Sequence, residues 1–178
     1  MISELSARAN PSNNKARYAF YILLGLAAAL TAVYMAVPLY KGIIGLAVIG
    51  VIVAAVLIYT KYIGSVYFYD ITFDHLGEPL LVVRQITGRR QSTLARVSLA
   101  EIISVSKESA EERRMHKTPA GYLKYSYLPT LMPVTSYRIT SSGRYERSEI
   151  LVEISDEFAS LLENYAAEAR ALANESED

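Results

Sequence analysis

Two stretches without a charge decide most of what this chain can be. Residues 18–40 make 23 consecutive uncharged positions and residues 42–60 make 19, with only Lys41 between them. An α-helix rises about 1.5 Å per residue, so about 20 apolar residues carry it across a hydrocarbon core of about 30 Å. Lipid offers no partner to backbone polar groups, which makes both runs helical. Pro38, Lys41 and Gly42 suit a turn, and residues 18–61 are expected to form a tight antiparallel transmembrane hairpin. Neither run has the polar face of a soluble surface helix. The first is longer than the roughly 7–15 apolar residues of a cleaved signal, and no small-x-small site closes it.

Tyr18, Tyr21, Tyr40, Tyr59 and Tyr62 fall at the ends of the runs, where an apolar ring with a polar hydroxyl suits the headgroup level. Small residues recur every four positions, as Gly25 with Ala29 and Gly50 with Ala54. Such pairs let backbones approach closely, across the hairpin or between copies. Arg8, Lys15, Arg17 and Lys61 flank the hairpin against Lys41 alone in its turn. Basic flanks stay in the cytoplasm, so a multi-pass protein of the cell membrane is expected, with both termini and the segment 1–17 cytoplasmic.

The 178 residues carry 18 basic and 18 acidic groups, unevenly placed. The front is basic, the middle mixed and the end acidic, with one basic and eight acidic residues from position 151 onward. A neutral total gives no general attraction to nucleic acid. The absence of Cys excludes disulfides, thiolate catalysis and Cys-ligated metals.

After Lys61 the pattern turns to alternation. Tyr67, Tyr69, Ile71 and Phe73 recur every second position, the sign of a half-buried strand. Further strands are expected over 80–87, 91–98, around 102–105, from Tyr122 to Leu128, over 134–140 and over 147–154, with turns at 75–79, 88–90 and 141–143. The charged stretch 107–117 reads as a connection. Seven short strands argue for a small sandwich or barrel. Ser155 or Asp156 then caps a helix whose apolar stripe is Phe158, Leu161, Leu162, Tyr165, Ala169 and Leu172. Residues 174–178 read as a disordered acidic tail. With no flexible linker between hairpin and first strand, the domain should sit close to the bilayer.

Seven strands closed by one helix is the element order of pleckstrin-homology (PH) domains. The stretch from Leu81 to Arg90 (LVVRQITGRR) and that from Val97 to Val105 (VSLAEIISV) resemble the bacterial PH-like family, many of whose members carry an N-terminal pair of membrane helices. The resemblance covers residues 62–173 and implies an α+β fold: a transmembrane hairpin, then a seven-stranded PH-like sandwich with a C-terminal helix. It implies a binding or assembly module, not a catalyst. In phosphoinositide-binding PH domains the loop joining the first two strands is basic; here it is Asp74–Pro79 and acidic, which speaks against inositol-phosphate binding there.

Arg84, Arg89, Arg90 and Arg96 lie on the second and third of these strands and their turn, and suit phosphate-bearing headgroups or a partner. Asp70, Asp74, His75 and Glu78 have the donor types of a divalent-ion site but no defined ligand spacing, and Asp and Gly are ordinary turn formers. No nucleophile elbow, HExxH, Walker or GxGxxG motif occurs. No enzyme, cofactor, metal, nucleic acid or small-molecule substrate is therefore expected. The expected role is protein–protein interaction or self-association at the cytoplasmic membrane surface, with contact to anionic lipid. The alternative is an accessory or regulatory subunit of a transporter or membrane enzyme.

Overall fold

The computed structural model describes residues 4–9, 14–37, 40–143 and 146–175. The protein is α+β: two apolar helices near the N-terminus, two four-stranded sheets and a C-terminal helix. It divides into a helical unit ending at Ser65 and a β-rich unit from Val66 onward, to which the N-terminal strand also belongs.

The helical unit consists of α1 (Asn14–Ala36) and α2 (Lys41–Ile58). A π-helical turn over Tyr59–Ile63 extends α2 and closes with Gly64 N donating to Tyr59 O at 2.7 Å. Both helices are long and apolar enough to cross a membrane. They pair antiparallel: Phe20 meets Tyr59 with ring centroids 5.6 Å apart, and Tyr34 lies beside Gly45. The seam is Leu23, Ala27, Leu30 and Tyr34 against Ile44, Val48, Val51, Ala55 and Ile58. That alternating three-and-four spacing suits a small left-handed crossing angle. Pro38, expected in the turn, lies outside the described residues.

Among the described residues the β-rich unit has eight strands where seven were expected. The additional one, β1 (Leu5–Arg8), comes from the segment ahead of α1 and pairs antiparallel with β2 (Ser65–Phe73), from Leu5↔Ile71 to Arg8↔Phe68. With β3 (Pro79–Thr87) and β4 (Arg90–Ser98) they form a sheet of order β1-β2-β3-β4. A 3₁₀ turn over Leu99–Glu101 leads to β5 (Ile102–Ser109). The second sheet joins β5 to β6 (Tyr122–Ser126), β7 (Thr135–Ser142) and β8 (Arg147–Val152) in the order β5-β7-β8-β6. It is not a meander: β6 runs parallel to β8, and Tyr127 N donates to Leu151 O where the chain leaves β6.

The stretch 107–117, expected as a connection, continues β5 and then forms α3 (Ala110–Met115). A capping box starts this helix: Glu112 N donates to Ser109 Oγ, and Ser109 N to Glu112 Oε2. Two sheets and α4 (Asp156–Glu175) share one core, in which Tyr69, Ile71, Leu81, Val83, Ile139, Ile150 and Val152 are sealed by Phe158, Leu162, Ala166 and Ala169. Leu161 and Leu172 of the expected stripe are exposed instead. Ser155 Oγ accepts from Phe158 N at the helix start. The helix reaches Glu175, two residues into the expected tail, and residues 176–178 lie outside the described chain.

Candidate functional site

Gly88 and Arg89 form the two-residue loop between paired Thr87 and Arg90. Gly88 has φ +61°, and Gly at the first central position is what a type II′ hairpin turn requires. The turn holds Arg89 and Arg90 out at a hairpin tip, both exposed and without an ion pair among the described residues. Arg96 is exposed on β4, paired with Val82.

Arg84 differs. Its Nε donates to Asp70 Oδ2, and Ser6 Oγ of β1 donates to the other oxygen of the same buried carboxylate. Asp70 holds the Arg84 pKa above its usual value through this bond. Asp70 therefore ties β1, β2 and β3 together, with Arg84 as its β3 partner. Arg84 shares an open cleft of about 620 Å³ with Arg96, but its charge is already answered.

The order of turns fixes which end of the sheet carries the free arginines. Arg8 and Phe68 mark the end through which the chain passes to α1 and arrives from α2. The link from β2 to β3 is only the five residues 74–78, too short for the crossover of a dozen or more that parallel neighbours need. β3 therefore runs back over the same nine-residue length and brings Gly88, Arg89 and Arg90 to the end marked by Arg8. The acidic turn 74–78 lies at the opposite end. There Asp74 Oδ1 accepts from Leu76 N and Glu78 N, and the Glu78 amide foremost holds its pKa below the usual carboxylate range.

A second polar cluster was not legible as a site. On the outer face of the second sheet, Arg138 is buried between Glu108 (Nη2–Oε1 2.6 Å) and Glu149 (Nη1–Oε1 3.6 Å). Glu149 accepts from Thr118 Oγ1 at 3.0 Å and pairs with His116 Nε2 at 2.9 Å. Arg113 donates to Ser136 Oγ and Pro133 O. Thr130 donates through N and Oγ1 to Glu153, whose pKa burial raises. These bonds tie α3 and the loop 127–134 across the sheet as a strap. Among the described residues no group of His, Asp and Glu is placed to hold a metal.

Of the small residues in the hairpin, Ala54 is half-buried beside the seam. Gly25, Ala29 and Gly50 are exposed, and a Cβ added at Gly25 or Gly50 would meet nothing within 4 Å. Ala27 and Ala55 occupy the close-approach positions. Comparison with models of protein families, with curated proteins and with solved structures finds no match.

Proposed function

We propose that the chain is a membrane-anchored, non-catalytic assembly module of PH-like character, held at the cytoplasmic face by its helical hairpin and touching anionic headgroups through Arg8, Arg89 and Arg90. One observation carries this reading: these arginines lie at the end of the first sheet from which both connections to the hairpin leave. Only Gly64 separates the extension of α2 from β2 in the sequence, which leaves no linker between the hairpin and this end of the sheet. The pairing of β1 with β2 requires both connections on one side, and the basic residues flanking the hairpin favour the cytoplasmic side. Two packed sheets followed by a helix support the PH-like reading, and β1 and the parallel β6 are this chain's own departures from it. A basic side chain near an anionic surface contributes about 1 kcal/mol, falling with salt. Confinement to a surface then raises the effective concentration of partners, so that weak contacts suffice.

The absence of Cys permits a clean test. Thr87→Cys carries a fluorophore beside the hairpin tip, and the full chain is placed in nanodiscs whose headgroups bear a quencher. Quenching should increase when anionic lipid replaces part of the phosphatidylcholine, and Arg89→Glu with Arg90→Glu should abolish the increase. A label equally quenched with and without the arginines would refute the lipid contact.

A further inference from the structure

At the end of the β-rich unit opposite Arg89 and Arg90, an open groove of about 560 Å³ runs between the second half of α4 and the turn joining β2 to β3. Its apolar surface comes from Leu76 (74% exposed), Leu172 (56% exposed), Phe73 and Pro79. Two large aliphatic side chains this exposed beside a groove are costly to leave in water, at about 25 cal/mol per Å². The charged residues lining the groove are both acidic, Glu78 and Glu168. Asp74, in the same turn, is held ionised by backbone amides. The carbonyl end of α4 adds negative potential at its last turn.

We propose that this groove receives an amphipathic segment of another protein, apolar on one face and rich in Lys or Arg beside it. The charge of the rim selects the occupant: an acidic segment meets like charge, and a basic one meets Glu78 and Glu168 while its apolar face covers Leu76 and Leu172. Lipid is the poorer occupant, because anionic headgroups would face carboxylates. A second copy anchored in the same bilayer keeps its free arginines at the far end of its own domain. The inference rests on the assembly-module reading above and names the chemistry of the partner.

The test uses the full chain in phosphatidylcholine nanodiscs, with empty discs subtracted. The probes are two fluorescent 14-residue helical peptides of the same Leu pattern, one with Lys and one with Glu at the polar positions. The Lys peptide should bind at least tenfold more tightly than the Glu peptide. Leu172→Asp should weaken it at least tenfold, and Glu78→Lys should narrow the difference between the peptides; both positions are exposed, and an unchanged melting temperature shows the fold intact. Equal binding of the two peptides, or indifference to Leu172→Asp, would overturn the proposal. Cross-linking of two chains through Leu172→Cys at one copy against another would also overturn it, by showing a second copy in the groove. Arg89→Glu with Arg90→Glu should leave peptide binding unchanged, so the headgroup contact and the groove fail separately.

Discussion

At the scale of single residues, the buried charges are the most consequential. Arg138 stands between two buried carboxylates, and removing one partner of such a cluster leaves charge uncompensated. Arg138→Ala should cost about 3–5 kcal/mol, read as a large drop in the melting temperature of the full chain in detergent. A loss under about 1 kcal/mol would mean that the strap relaxes and hydrates the pocket. Two other carboxylates should shape stability against pH with opposite signs. Asp156 accepts from Lys107 Nζ (2.8 and 2.7 Å) and Tyr137 Oη, and chiefly Lys107 holds its pKa low. Its contribution is present at neutral pH and disappears as pH falls through its lowered folded value. Glu153 is pushed up by burial, so the folded state holds its proton longer than the unfolded one and stability declines as pH rises through that window. Thermal melts across the acidic range should show Asp156→Asn flattening the acid-side loss and Glu153→Gln flattening the decline above it. Identical slopes in all three proteins would refute both assignments.

At the scale of elements, the hairpin offers a direct contrast. Ala55 is nearly sealed in the seam, whereas a side chain at Gly50 enters open space. Ala55→Leu should therefore destabilise the helix pair by about 1–3 kcal/mol through overpacking, and Gly50→Leu should leave it unchanged in the same denaturation titration. The recurrence of small residues every four positions did not distinguish these faces. Both kinds of small residue look alike along the sequence, and only the seam of larger residues at Leu23, Leu30, Val48 and Val51 settles which one packs. The strands were more readable, because Tyr67, Tyr69 and Ile71 on β2 and Ile150 and Val152 on β8 enter the core at every second position, although Phe73, next in the first series, is exposed. β1 left no such trace, being four residues in a polar segment whose partner lies more than sixty positions away. The Gly-Arg-Arg turn was visible as a hairpin tip; the capture of Arg84 by Asp70 depends on which strands become neighbours. The strap had one local sign, the capping box at Ser109 and Glu112, while the His116–Glu149–Arg138 cluster exists only once β7 and β8 pair.

At the scale of the whole chain, the decisive feature is that one sheet is built from both sides of the hairpin in sequence. β1 precedes α1 and β2 follows α2, yet Leu5 pairs with Ile71. A sheet cannot form across a bilayer, because unpaired strand edges are not tolerated in hydrocarbon. On the proposed membrane-anchored reading, the hairpin inserts as a unit with an even number of crossings, so that the strands on either side of it in sequence can pair. Single cysteines at Glu4, Glu78 and Gly42 would read this out in a chain that otherwise has none. In sealed inverted membrane vesicles an impermeant maleimide should modify the first two and spare the third; in right-side-out vesicles the pattern should reverse. Opposite labelling of Glu4 and Glu78 would separate the two strands by a membrane and exclude the sheet. Uniform labelling of Gly42 in both preparations would instead place the hairpin turn outside any sealed compartment and remove the anchor. Deleting residues 4–9 should leave insertion intact while exposing the edge of β2, so the protein should still sediment with carbonate-washed membranes but melt at lower temperature. That combination separates what holds the chain in the membrane from what completes its sheet, and it is expected only if anchor and domain are joined through β1 as well as through Gly64.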